Sequence, residues 1–220
     1  MTTRSRPAPV ELNWTTFLSP RPDTGTAKQK SGPATYFPPV WPLYIKGMPA
    51  HFSEWRLRPA GDGDFEAMWQ LDQICFSAEI RYSREELRDV LNMAGCRSWV
   101  LEIFSGSEPL PGEIAGYVTA RAGKQNGHLM TLDVAPDWRR QGAGGVLLRR
   151  AEDYAAGRGL RKMLLEVGVD NHPARAFYQR AGYRELRLLS DYYAPGVHGM
   201  LMEKMLENLF PAIVQEQPAR

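Results

Sequence analysis

The run LDVAPDWRRQGAGGVLLRRAEDYA, residues 132–155, joins an apolar segment, a basic glycine-rich turn and an amphipathic helical pattern. Gly142, Gly144 and Gly145 carry no Cβ, so backbone there can approach a ligand closely. The first free N–H groups and the positive dipole end of a following helix would point at the same spot. Arg139 and Arg140 add mobile positive charge, with Gln141 and Ala143 completing the turn. Together these residue types make a cradle for a phosphorylated ligand. The spacing is RxxGxG from Arg139 to Gly144, neither GxGxxG nor GxxxxGK[ST], which speaks against a dinucleotide or an ATP-type phosphate loop.

Glu166 is the second candidate. It stands mid-strand in MLLEVGV, and an acid inside a parallel strand covered on both faces is costly unless it is used. A desolvated carboxylate suits the removal of a proton from an amine. An edge position, with the carboxylate simply facing water, is the other reading. Ala174, Phe177, Tyr178 and Ala181 lie at offsets of three, four and seven, the pattern of a core stripe. Asn171, just before that helix, suits a turn or cap. Tyr192 and Tyr193 follow Asp191 in a hairpin turn near APG, as surface aromatics able to cover an edge or to supply contact area. His128 opens a strand, where a lone histidine is usually structural. His51, His128, His172 and His198 form no ligand spacing, and Cys75 and Cys96 read as buried reduced thiols, so no metal is expected.

The elements that must position these residues alternate between strand and helix periods. Glu54–Pro59 reads as a strand and Asp64–Phe76 as a helix carrying Phe65, Met68, Trp69, Leu71 and Ile74. Ser83 and Glu86 form a capping box that opens a second helix to about Ala94. Trp99–Phe104 and Ile114–Ala122 form a hairpin across the loop SGSEPLPG, and Leu129–Val134 leads into the cradle. The cradle helix ends near Arg158 with Gly159 as its cap, Met163–Val169 is a strand, and Pro173–Ala181 is a helix capped by Gly182. Tyr183–Leu189 and His198–Met205 close the fold as an antiparallel pair. The fold class is α+β, a mixed central sheet in which only the central strand-helix-strand unit is parallel.

Residues 1–50 differ from the rest, with RPAP, SPRP and FPPVWP, no periodicity and scattered aromatics; they read as a disordered or wrapping extension. Residues 51–206 hold the domain and 207–220 a tail. The 220 residues suit one domain with extensions, and 27 basic against 25 acidic residues leave a charge of +2, too balanced to suggest nucleic acid or an anionic membrane as partner. With no span-length apolar run and no secretory core at the N-terminus, the chain reads as cytoplasmic.

The cradle, with LLEVGVDNHPARAFYQRAGY (164–183) and DYYAPGVHGMLMEKML (191–206), resembles the GCN5-related N-acetyltransferases, over roughly residues 54–206 and most strongly from Leu129 onward. Within that family the likeness is to amino-terminal protein acetyltransferases, particularly the bacterial ribosomal-protein alanine type. The resemblance implies a GNAT fold of six to seven strands and about four helices, with acetyl-CoA as cosubstrate. It implies a pyrophosphate held by Arg139, Arg140, Gln141, Gly142, Ala143, Gly144 and Gly145, pantetheine paired with backbone of Leu132 and Val134, and Asn171 as a contact to the pantetheine or the pyrophosphate. It further implies Glu166 as proton acceptor, Tyr178 as proton donor to the departing thiolate, and Tyr192 and Tyr193 as contacts to an acceptor peptide. His128 could reach the same cavity as a second base.

The acceptor is then a primary amine, taken directly and without a covalent enzyme intermediate. An α-amine titrates near 7.7–8.0 and a lysine near 10.4, so neutralising lysine at pH 7 costs about 3 kcal/mol more, which favours a protein N-terminus. AEIRYS, residues 78–83, departs from the aromatic-proline-tryptophan pattern of the ribosomal-protein enzymes and leaves the target open. A small-molecule amine acetyltransferase and a non-catalytic acetyl-CoA-binding module are the alternatives. A monomer or a homodimer would serve any of them.

The aperiodic first fifty residues offer little burial to offset ordering entropy. A chain beginning at Met48, an alternative start, is expected to keep the melting temperature and the turnover of the full chain on a small acceptor, as calorimetry and a thiol-release assay would read.

Overall fold

Seven strands form one sheet in the order β1-β2-β3-β4-β5-β7-β6. They are β1 (Glu54–Pro59), β2 (Cys96–Ser105), β3 (Glu108–Ala122), β4 (Gly127–Val134), β5 (Lys162–Gly168), β6 (Arg184–Ala194) and β7 (Val197–Met205). Four helices cover it: α1 (Phe65–Cys75), α2 (Arg84–Asn92), α3 (Ala143–Ala156) and α4 (His172–Arg180). This computed structural model describes residues 54–105 and 108–206; the stretch 1–50, the start at Met48 and the tail 207–220 lie outside the described residues. Among the described strands β4 and β5 are the only parallel neighbours, as the strand-helix-strand reading required.

Two apolar layers hold the sheet. On one face Met68, Leu71, Leu87 and Val90 of α1 and α2 bury against Val100, Tyr117 and Met130. On the other, Leu147, Leu148, Ala151 and Ala155 of α3 and Tyr178 of α4 pack on Leu101, Val118, Leu129, Met163 and Leu165. The buried face of α1 runs Met68, Leu71 and Asp72, while Ile74 is 63% exposed. At 100° per residue Ile74 lies about 120° round the helix from Met68, off the stripe. Asp72 takes the buried place because its Oδ1 accepts the Tyr82 N–H at 2.7 Å, tying the α1–α2 connection to the helix.

The helix ends follow local chemistry. Ser83 Oγ accepts the Glu86 N–H at 3.2 Å and Glu86 Oε2 accepts the Ser83 N–H at 2.8 Å, the expected capping box. After α4 the Tyr183 N–H reaches the Tyr178 carbonyl and the Gly182 N–H that of Gln179, a Schellman closure with Gly182 at φ +92°. The same pair of bonds, from Leu160 to Ala155 and from Gly159 to Ala156, closes α3.

Two hairpins depart from the sequence reading. The expected loop SGSEPLPG is largely strand, with Ser105 opposite Glu108 and Phe104 opposite Pro109, because β-bulges near Glu102 absorb the irregular sequence without ending the pairing. At the other end β6 continues to Ala194, so Tyr192 and Tyr193 are strand residues, 8% and 7% exposed, and not surface aromatics of a turn.

The site depends on a bulge in β4. Pairing with β3 passes from Ala120↔Leu129 to Thr119↔Thr131, leaving Met130 as an extra residue. Side-chain alternation inverts beyond it. Leu132 and Val134 therefore face α3, while Asp133, opposite Tyr117, faces α1. β5 pairs with β4 only through Gly127↔Met163, His128↔Leu164 and Leu129↔Leu165. With β7 it pairs along its whole length, from Lys162↔Met205 to Gly168↔Gly199. The two parallel strands part at the bulge.

An alanine at position 182 would touch Lys204 only at 3.7 Å, so its cost is conformational. Gly182→Ala should destabilise the fold by about 1–2 kcal/mol in urea unfolding, the ordinary cost of a left-handed non-glycine residue.

Candidate active site

The parting of β4 and β5 opens a cavity. Leu129 to Leu132 of β4 and Leu165 to Gly168 of β5 line it, with Phe76 and Ile80 from the α1–α2 connection, Asn171, Ala174 and Tyr178 from the start of α4, and Tyr193 from β6. Most of the lining side chains are apolar, and among the described residues Glu166 is the only carboxylate on it.

Glu166 is not an edge residue facing water. Its side chain is 10% exposed, and Oε2 lies 2.7 Å from His128 Nε2. The pairing follows from register: His128 opposes Leu164, and Leu164 and Glu166 leave the same face of β5, so the two side chains meet across adjacent strands. A carboxylate bonded to an imidazole can accept a proton and share it. Here the structural histidine and the candidate acid prove to be one unit.

Tyr178 packs in the core and also reaches the cavity. Its ring packs edge-on against Phe177 at 5.1 Å and Tyr183 at 5.7 Å, and it also lines the cavity. Burial, then the charges of Asp133 and Tyr193, push its phenol well above the usual tyrosine range. At neutral pH it therefore stays protonated.

The cradle stands at the start of α3. Gly142 occupies the N-cap at φ +89° with no side chain capping the helix, and Arg140 before it has φ +61°. Among the described residues a Cβ added to Gly142 or Gly145 would meet nothing within 4 Å, so there is open space beside the start of α3. That bare, uncapped terminus fits a pyrophosphate. The neighbouring side chains divide. Ala143 is buried in the core, a Cβ on Gly144 would sit 3.5 Å from Phe177, and Gln141 Nε2 donates to the Asp137 carbonyl at 2.6 Å, bracing the turn. These three contribute to the cradle through backbone alone.

Arg139, exposed like Arg140, also braces the turn. Its Nε donates to the Val134 carbonyl at 3.0 Å and its Nη2 approaches Cys75 Sγ at 3.5 Å, so the guanidinium ties the end of β4 to α1. The exposed Arg140 is the remaining cation of the turn. Cys75 Sγ also reaches the Val134 carbonyl at 3.5 Å, and burial raises its thiol to about 11, so it is a packing group and not a nucleophile. The Val134 carbonyl is thus already engaged, whereas Leu132 lines the cleft. Asn171 caps α4, its Oδ1 accepting the Ala174 N–H at 3.1 Å, and lines the cavity as well.

Sequence reasoning singled out the segment 78–83, which brings Ile80 to the cavity wall, but missed Phe76 beside it, which carries no motif. It also missed Asp133, 1% exposed behind the cleft and bonded to Thr131 Oγ1 at 2.9 Å; its one signal was an acid in the apolar run LMTLDV.

Comparison with known proteins agrees with this geometry. An uncharacterised N-acetyltransferase of Methanocaldococcus jannaschii is 37% identical over 100 residues, covering 45% of this chain and 64% of that protein. An N-alpha-acetyltransferase of Sulfolobus acidocaldarius is 34% identical over 110 residues, covering 42% and 63%. The chain thus spans somewhat less than two thirds of the curated relatives it matches. The crystal structure of the ribosomal-protein-S18-alanine N-acetyltransferase of Escherichia coli superposes with a TM-score of 0.59 at 21% identity, covering 71% of this chain and 99% of that one. Residues 65–183, from the start of α1 to the residue before β6, match the acetyltransferase (GNAT) family, and the chain belongs to it.

Proposed function

We propose that this protein is an acetyl-CoA-dependent N-acetyltransferase whose acceptor is the N-terminal α-amine of a protein. The observation that carries the reading is one cavity lined by Glu166, bonded to His128, and by Tyr178 with its phenol protonated, with the bare start of α3 close to Phe177, the chain neighbour of Tyr178. Acetyl-CoA, when bound, supplies an acetyl group activated as a thioester. Backbone N–H groups of Gly142 to Gly145 and the charge of Arg140 would hold its pyrophosphate, and the unpaired edge of β4 around Leu132 its pantetheine. Glu166 receives the proton the amine must lose on attack, with His128 orienting and sharing it. Tyr178 returns a proton to the thiolate as it departs, which balances the exchange of acetyl for hydrogen.

The name of the Sulfolobus relative supports an α-amine, and so does the cavity wall. A polyamine carries further positive charge that needs carboxylates, and among the described residues this lining offers Glu166 alone, already bonded to His128. The first residue of a protein chain brings one amine and a short side chain, for which Phe76, Ile80, Met130 and Tyr193 are suitable surroundings. An alanine start, as on a ribosomal protein, is the form of this reading that the resemblance implies. A screen of acetyl-CoA consumption against N-terminal peptides, lysine side chains and polyamines tests it; turnover on polyamines alone would overturn it.

Glu166→Gln and Tyr178→Phe should each lower kcat by about 10² to 10⁴ while calorimetric acetyl-CoA affinity persists. The loss in Glu166→Gln should be greatest at low pH, where free amine is scarce. Wild-type rates in both variants from pH 6 to 9 would show that the residues only pack.

Gly142→Val places a β-branched side chain at φ +89° and in front of the helix start. It should abolish measurable acetyl-CoA binding in calorimetry. Arg139→Ala, by contrast, should cost mainly thermal stability, since that guanidinium joins β4 to α1.

A further inference from the structure

α4 joins the two halves of the proposed chemistry. It follows β5, which carries Glu166, after the turn 169–171, and it carries Tyr178 itself. The separation of the two groups therefore depends on how this helix of 9 residues is held. Apolar packing of Ala174, Phe177 and Tyr178 holds its inner side. Asn171, Arg175 and Gln179 stand four residues apart and form one polar stripe next to it.

Each member of the stripe is engaged. Asn171 caps the helix through its bond from the Ala174 N–H. Arg175 Nη1 donates to the Val169 carbonyl at 2.8 Å, and its Nε and Nη2 donate to Glu185 Oε1 at 3.0 and 2.7 Å. Gln179 Nε2 donates to the same Oε1 at 3.1 Å. Glu185, the second residue of β6, opposes Met202 of β7, whose side chain belongs to the layer that α3 and α4 cover. One guanidinium thus fastens α4 both to the end of β5 and to β6. The Arg175 and Glu185 side chains are 22% and 28% exposed, so salt and solvent screen the pair only in part.

Arginine suits this place. Its planar fork presents fixed donors to acceptors on two different elements at once, whereas a lysine brings one ammonium on a flexible stem. Rotation of α4 about its axis would break the bonds of Arg175 and Gln179 together and would carry the Tyr178 hydroxyl along the cavity wall. A misplacement of about 1 Å at a reacting group can cost about 10² in rate.

We propose that Arg175 is a positioning residue for acetyl transfer: bound to Val169 and Glu185, it sets α4 so that the Tyr178 phenol stands on the cavity wall with Glu166, and it takes no part in the chemistry. This rests on the acetyl-transfer reading above. Among the described residues that line the cavity Arg175 has no place, so its loss should leave the binding of acetyl-CoA and of the amine intact.

The test uses the full chain, acetyl-CoA and an N-terminal peptide. Arg175→Met keeps the bulk of the stem and loses every donor, and Arg175→Lys keeps the charge and loses the fork. Each should lower kcat roughly 10- to 100-fold, with peptide KM and calorimetric acetyl-CoA affinity within about twofold of wild type. Glu185→Gln, which keeps Oε1 as an acceptor, should hold kcat within about threefold. In a Tyr178→Phe background Arg175→Met should cost less than about twofold, because a residue that acts through the hydroxyl has nothing left to act on. Should Arg175→Met fail to fold, Arg175→Lys takes its place in every comparison. Unchanged kcat in both Arg175 variants, a matching rise in KM or loss of acetyl-CoA affinity, a full further loss in the Tyr178→Phe background, or a collapse of rate in Glu185→Gln would overturn the proposal. Wild-type turnover in Tyr178→Phe, or a wild-type chain that acetylates no amine, overturns the function reading and the catalytic purpose with it. The ring resonances of Tyr178, identified by their loss in Tyr178→Phe, then tell the failures apart: shifted in Arg175→Met and unmoved in Glu185→Gln, they show that the tie sets the ring even so.

Discussion

The structure turns on two parallel strands that cannot stay paired. β5 is held to β7 along its whole length and β4 to β3 through a bulge at Met130, so each strand follows its antiparallel partner and the two diverge after Leu129↔Leu165. Antiparallel ladders, with better aligned hydrogen bonds, win over a parallel pair of three positions. The cavity and the place of Tyr178 on its wall follow from that divergence, while the approach of His128 to Glu166 is set by the register of the three positions that stay paired.

The same bulge decides what the cavity contains. By inverting alternation it turns Leu132 and Val134 onto the α3 layer and Asp133 away toward α1, where Thr131 and Tyr117 surround it. Two carboxylates a few residues from the cleft are thereby given different environments. Glu166 meets an imidazole in the cavity, while Asp133 is enclosed behind it and acts on Tyr178 and Tyr117 through its charge. Both phenols stay protonated, since burial and a nearby negative charge raise them in the same direction.

What the sequence made legible was local in origin. The Ser83–Glu86 box, the caps at Gly159 and Gly182, the glycine turn before α3 and the misplaced acid at 166 each announce themselves within a few residues. The parts that stayed hidden depend on partners far along the chain. Nothing in LMTLDV marks Met130 as the extra residue, since the bulge exists only relative to β3. Arg139 looked free because its acceptors, the Val134 carbonyl and the Cys75 sulfur, meet it only when β4 and α1 are assembled. Asp72 displaced Ile74 from the buried stripe through a hydrogen bond to Tyr82 that no periodicity records. Tyr192 and Tyr193 looked superficial because a YY pair beside APG resembles a turn, until Asp191 adopts its left-handed angle.

An unpaired strand edge is ordinarily a hazard, since its open amides and carbonyls template association with other chains, and proteins blunt such edges at the rim of a sheet with charge or irregularity. Here β6, at the rim, carries Arg184 and Arg187 beside its exposed Leu186 and Leu188. The more vulnerable edge, the stretch of β4 after Met130, has been moved to the middle of the sheet, with β5 standing opposite it. Its backbone around Leu132 faces the cleft, where a slender ligand could thread, while the neighbouring strand screens it from the edge of another molecule's sheet. Division of the sheet into two halves thus combines receptivity toward a small guest with protection against aggregation.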